Sequence, residues 1–207
     1  MIAEQLNLSF KPQEVTCLLG ANGCGKTTLL KTILGVLPKI AGEISINQKP
    51  QHKWHRNEVS KFLGYVPQAH NHIFPFTVEA VVLMGRTAHL GWYSSPKAQD
   101  KAIAYKCIQQ LGIEHLIHKP YTQLSGGQQQ LVLIARALAQ NPSFLIMDEP
   151  TASLDFGNQM RVLEQIDKLK AQGLSILMTT HQPEHAMQIA DRTILLDHGS
   201  IIADGAP

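Results

Sequence analysis

The sequence predicts an α/β fold built around a parallel sheet, and three observations carry that expectation. Apolar runs alternate with amphipathic helical patterns along the chain. Those runs stop abruptly at glycine or at polar residues, as strands do when they deliver ligand-binding groups to one edge of a sheet. Two of them, "FLIMDEP" and "LSILMTTH", flank a helical stretch, and a strand–helix–strand unit of that kind implies parallel pairing through a right-handed crossover.

The elements follow in order. "EVTCLLG" (14–20) is apolar, β-branched and closed by glycine, which predicts a buried strand. "GKTTLLKTILGVL" (25–37) carries leucine and isoleucine at helical spacing and ends at Gly35 and Pro38. "GEISIN" (42–47) alternates as a short half-buried strand, and "FLGYVP" (62–67) is another. From about 70 to 124 the texture turns helical: "TVEAVVLMG" (77–85), then "SPKAQDKAIAYKCIQQLG" (95–112) with a Ser95-Pro96 start and a Gly112 stop. Ser125 can cap a helix running through "QQQLVLIARALAQ". "DFGNQMRVLEQIDKLKAQG" (155–173) is the amphipathic crossover helix.

Composition narrows the function. A net charge of +2 with no concentrated basic face gives no case for a nucleic-acid partner. Cys17, Cys24 and Cys107 show neither C-x-x-C pairing nor metal spacing. No apolar run approaches the roughly 18 residues of a membrane span. The N-terminus lacks the order of a signal peptide, so a cytosolic location is the default expectation.

Three stretches carry chemistry. "GANGCGKT", Gly20 to Thr27, fits G-x-x-x-x-G-K-[ST] between a strand and a helix. Its glycines let backbone N–H groups converge on phosphate oxygens at a helix N-terminus, Lys26 reaches the β- and γ-phosphates, and the Thr27 hydroxyl is placed for Mg²⁺. At the end of "FLIMDE", Asp148 is placed to hold Mg²⁺ and Glu149 to take a proton from an attacking water. "LSGGQ", Leu124 to Gln128, exposes further backbone N–H groups, although alone it reads equally as a plain helix start. A fourth stretch, "HQPEH", fits the zinc-peptidase pattern H-x-x-E-H. However, Pro183 belongs at the first helical position, which leaves His181 on the loop before the helix and His185 inside it, facing elsewhere. Glu164 and Asp191 are stray carboxylates rather than a third ligand.

With "GANGCGKT", Gln68 in "YVPQ", "LSGGQ", "FLIMDEP", Asp155 in "SLD" and His181 after "LMTT" in that order, the chain resembles the ATP-binding subunit of ABC transporters over nearly its whole length. The resemblance implies a P-loop NTPase with a RecA-like parallel core, a small N-terminal antiparallel β part and an inserted α-helical subdomain. Residues 1–207 are then one ATPase domain, with 1–68 and 126–207 as the nucleotide-binding core and 69–125 as the helical signature subdomain. It implies a head-to-tail dimer with ATP sandwiched between two copies. One copy contributes Gly20, Asn22, Gly23, Cys24, Gly25, Lys26, Thr27 and Thr28, and the other contributes Ser125, Gly126, Gly127 and Gln128. Asp155 reaches across the seam. Glu149, His181, Gln68 and Lys26 are the implied catalytic set, and Thr27, Gln68 and Asp148 the implied Mg²⁺ ligands.

"VVLMGRTAHLGWYSSPKAQD" (81–100) resembles the importers of iron-siderophore, haem and cobalamin and a related molybdate branch. That implies separate transmembrane permease subunits, a periplasmic binding protein and a peripheral place on the cytoplasmic face of a bacterial inner membrane. "HNHIF" (70–74) suggests a solvated or permease-facing loop before a metal site. The alternatives are a non-transport ABC ATPase or a poorly active nucleotide-binding module. The sequence departs from the family's pattern before Gly20, where Phe10 is the sole aromatic and reads as a core residue. Adenine stacking is therefore expected to be missing, with weaker base selectivity and an unpaired sheet edge. "QQQL" follows LSGGQ where many relatives carry arginine, and no regulatory domain is expected after Pro207. Cys24 is an expected alkylation site that ATP would protect.

Overall fold

A computed structural model describes residues 6–68, 75–91 and 93–207; the 70–74 loop expectation lies outside them. Strand β1 (Val15–Leu19) leads into helix α1 (Lys26–Ile33). A two-residue ribbon, β2 (Ser45–Ile46) and β3 (Lys49–Pro50), follows, then α2 (Arg56–Phe62) and β4 (Leu63–Val66). Helices α3 (Val78–Leu83), α4 (Ala98–Gln110) and α5 (Gly126–Leu138) precede β5 (Phe144–Met147). The chain continues through α6 (Phe156–Ala171), β6 (Ser175–Thr180), α7 (Pro183–Ile189), β7 (Arg192–Asp197) and β8 (Ser200–Gly205).

The main sheet runs β4-β5-β6-β1-β7-β8, parallel except for the antiparallel β7–β8 pair. Both faces are covered, which is why its central strands read as near-continuous apolar runs. Val15, Cys17, Leu145, Met147, Ile176 and Met178 point into a core shared with α3 to α7. The alternate residues Leu18, Ile146 and Leu177 point the other way, onto Leu30 of α1, Val59 of α2 and Ile46 of the ribbon. Among the described residues, β8 pairs only with β7, leaving its outer edge without a strand partner. Phe10 packs on Phe144 with ring centroids 5.8 Å apart, which is the core role expected of it.

Several boundaries differ from the sequence expectation. Helix α1 stops at Ile33 because Gly35 turns left-handed (φ 71°) and Val36 N–H returns to the Lys31 carbonyl, a Schellman closure. The strand expected at 42–47 keeps only Ser45–Ile46: Asn47 and Gln48 both take positive φ and turn the chain into a hairpin. Helix α4 begins at Ala98 rather than at Ser95, since the Asp100 carboxylate accepts the Lys97 N–H at 3.0 Å. Phe62 closes α2 instead of opening β4. The β7–β8 hairpin was not anticipated. Its signal was "DHGS", whose His198 and Gly199 both adopt positive φ.

Candidate functional site

Four parallel strands end at the same edge of the sheet, and each delivers one part of the site. Gly20 follows β1, Gln68 lies just beyond β4, Asp148 and Glu149 follow β5, and His181 follows β6. Between β1 and α1 the loop curls through Gly23 (φ 83°) and Gly25 (φ 106°). At Gly20 the constraint is space: a Cβ there would overlap the Leu196 carbonyl of β7 and the Cys24 sulfur. Lys26 is only 5% exposed, and its ammonium donates to the carbonyls of Gly20 (2.8 Å) and Ala21 (3.1 Å). The loop therefore wraps a buried positive charge at a helix N-terminus, an electrostatic setting for phosphate.

A cavity of about 330 Å³ is lined by Asn22, Gly23, Gly25, Lys26, Thr27, Thr28, Gln68 and Glu149. Gly20 and Cys24 do not line it; Cys24 is half-buried and packs against the Leu18–Leu30 cluster. Asp148 is buried behind the cavity. Its Oδ1 accepts the hydroxyls of Thr27 (3.0 Å) and Thr179 (2.9 Å), and its N–H extends the β4–β5 ladder to the Val66 carbonyl. Burial, reinforced by the nearby Asp148 carboxylate, pushes the Tyr65 phenol up to about 12. Glu149 sits in the left-handed region (φ 45°), its N–H donating to Thr179 Oγ1 at 2.8 Å. Its carboxylate lies 3.3 Å from Lys26 Nζ on one side and 3.3 Å from His181 Nδ1 on the other.

The "LSGGQ" stretch starts α5 with a capping box. Ser125 Oγ accepts the Gln128 N–H (3.4 Å), and Gln128 Oε1 accepts the Ser125 N–H (3.1 Å). Gly126 meets Leu154, and Gly127 lies flush against Asn158 of α6. Asp155 caps α6, accepting the Asn158 N–H (2.9 Å) and side-chain amide (2.7 Å), bonds that hold its carboxyl below the usual range. None of Ser125, Gly126, Gly127, Gln128 or Asp155 lines the cavity. The two helix N-termini form their own exposed corner of the chain.

The two histidines of "HQPEH" separate as Pro183 dictates. His181 faces Glu149, whereas His185 is buried in α7 with Nδ1 3.1 Å from Thr151 Oγ1, and burial lowers its pKa. Asp191 accepts the Val15 N–H and pairs with Lys170 instead of approaching either histidine. Among the described residues, no group of three metal-ligating side chains occurs. Sequence reasoning missed Thr179, Tyr65, Asn158 and Thr151. For Thr179 the local signal was polar residues at the end of a buried run, in "LMTT".

Similarity to known proteins shows the family. The family model described as ABC transporter matches residues 3–152. An uncharacterized ABC transporter ATP-binding protein of Haemophilus influenzae is 48% identical over 196 residues, covering 95% of this chain and 74% of that protein. The molybdate import ATP-binding protein MolC of the same organism is 38% identical, covering 94% of this chain and 72% of its own length. The iron(3+)-hydroxamate import ATP-binding protein FhuC of Bacillus subtilis is 36% identical, covering 99% and 77%. Among solved structures, a dimeric post-hydrolysis state of an ATP-binding cassette bound to ADP and Pi superimposes with a TM-score of 0.82 at 26% identity, covering 99% of this chain and 90% of that one. The chain belongs to the ABC transporter family, as an ATP-binding subunit that hydrolyses ATP.

Proposed function

We propose that this chain energises a membrane importer by hydrolysing ATP at two sites shared between two head-to-tail copies. The supporting observation is that Lys26, Thr27, Gln68 and Glu149 line the phosphate-loop cavity with Asp148 and His181 hydrogen-bonded or paired beside them, while Ser125, Gly126, Gly127, Gln128 and Asp155 stand outside it without such contacts to it. A second copy would bring its capped α5 N-terminus to the γ-phosphate, with Asp155 at the seam. Gly20, Asn22, Gly23, Cys24, Gly25 and Thr28 would shape the phosphate cradle, mostly through backbone groups. Lys26 holds positive charge where the phosphoryl group transfers, and little covalent chemistry is asked of the protein.

Thr27 and Asp148 supply hard oxygen donors that converge beside the loop, which suits Mg²⁺ bound by one or two side chains plus phosphates. Gln68, on the cavity wall, is a third contributor. Bound there, Mg²⁺ would neutralise charge on the phosphate oxygens. Glu149 accepts the proton of the attacking water, and His181 orients the Glu149 carboxylate from its far side. Residues 69–125 serve as the helical subdomain that meets the permease, with 1–68 and 126–207 as the nucleotide-binding core.

The substrate class is drawn from relatives named for molybdate and iron(3+)-hydroxamate import, so a metal chelate or oxyanion is the proposed cargo. No helix among the described residues is long and apolar enough to cross a membrane. Separate permease subunits, a periplasmic binding protein and a peripheral position on the cytoplasmic face complete the reading. The test is Glu149→Gln: ATP binding is expected to persist, turnover to fall nearly to zero, and an ATP-trapped dimer to accumulate in light scattering. Wild-type turnover by that variant would remove Glu149 from its role.

A further inference from the structure

We propose that Thr179 is a positioning residue for hydrolysis, its single hydroxyl setting the geometry of both Asp148 and Glu149. The inference rests on the roles given above to those two carboxylates.

Thr179 is fully buried on β6, in a run whose preceding residues Ile176, Leu177 and Met178 are all apolar. A hydroxyl at such a position costs stability unless both its donor and its acceptor capacity are used. Both are. The proton goes to Asp148 Oδ1 at 2.9 Å, and the oxygen accepts the Glu149 N–H at 2.8 Å. The neighbouring Thr180 does not duplicate this, since its hydroxyl accepts the Gln182 N–H at 3.1 Å.

These two bonds act on two different features. The first fixes Asp148 Oδ1 from the β6 side while Thr27 holds the same oxygen from α1 at 3.0 Å. The second gives the Glu149 amide its partner in a backbone conformation that non-glycine residues rarely adopt (φ 45°). In that conformation the Glu149 carboxylate reaches Lys26 and His181, each at 3.3 Å. Without the hydroxyl, the amide at the turn loses its acceptor, and the turn loses the bond that selects it over ordinary extended backbone. Strand β6 thus acts on the reacting carboxylate from 30 positions away, through one oxygen atom.

Thr179→Val keeps the shape and removes the hydroxyl; Thr179→Ser keeps the hydroxyl. T179V is expected to lose roughly 10–100-fold in kcat, the range typical for removing an outer-shell hydrogen bond, with KM for ATP little changed. T179S should recover most of that loss. A second readout needs no nucleotide: hydrogen–deuterium exchange of the peptide containing Glu149 should quicken in T179V and not in T179S. If T179V aggregates, Thr179→Ala carries the same expectations. Wild-type kcat in T179V while E149Q is inactive would overturn the proposal and leave the reading of Glu149 standing. Wild-type turnover in E149Q would overturn that reading itself. A parallel loss in T179S, or an equal rise in KM, would reduce Thr179 to a packing residue and refute the inference.

Discussion

Gly127→Ala tests the packing behind the "LSGGQ" corner. A Cβ at position 127 would come within 2.7 Å of the Asn158 Cβ, so rotating the Asn158 amide cannot clear the overlap and the α5 and α6 backbones must part. Forcing one methyl into a filled contact costs about 1–3 kcal/mol. Replacing glycine by alanine in a helix returns at most ~1 kcal/mol, and less in the first turn where Gly127 sits. Strain wins, leaving a net destabilisation of roughly 1–2 kcal/mol. At about 2–4 °C per kcal/mol for a chain of this size, Tm should fall by roughly 2–8 °C. The assay is thermal and urea unfolding without nucleotide, on a cycle with Asn158→Gly, which removes the obstructing Cβ. In the N158G background the same G127A change should be neutral or stabilising, giving a coupling of about 1–3 kcal/mol. Equal effects of G127A in both backgrounds would refute the reasoning.

Two further outcomes follow from the histidines. His181→Ala should lower kcat by about a hundredfold or more while changing KM for ATP little, and a zinc-selective chelator in excess Mg²⁺ should change nothing; comparable losses in kcat and affinity would contradict it. His185 is held neutral by burial, so its folded-state pKa lies below the unfolded value of about 6.5. Its contribution to stability is therefore present above that value and lost as pH falls through the folded value. Unfolding midpoints taken at about pH 7.5 and 5.5 should drop further for the wild type than for His185→Gln; equal drops would refute the assignment.

What was legible in the sequence was what two-sided burial or local backbone chemistry writes into consecutive residues. Strands β1, β5 and β6 bury alternate residues into two different cores, so they appear as near-continuous apolar runs that stop at Gly20, Asp148 and Thr179. The phosphate loop is contiguous, and its glycines and Lys26 are readable together. Element ends were less legible, because they are decided by single contacts: the Gly35 closure of α1, the Asp100 bond that starts α4, the paired positive-φ residues of the two hairpins. Least visible were contacts between residues far apart in the chain. Thr27 meets Asp148 across 121 positions, and nothing near Thr179 or Asn158 announces a carboxylate pair or a signature glycine as its neighbour.

The shared-site dimer is tested most directly by mixing two inactive variants. Lys26→Ala damages the phosphate loop, and Ser125→Arg damages the corner proposed to act on the partner's nucleotide. In a head-to-tail pair of one K26A and one S125R chain, both lesions fall in one site, and the other site is intact. With random pairing at equal amounts, about a quarter of all sites should then be whole. Phosphate release by the mixture well above that of either parent is the predicted result. A mixture no more active than its parents, with both variants folded and dimerising, would contradict the account.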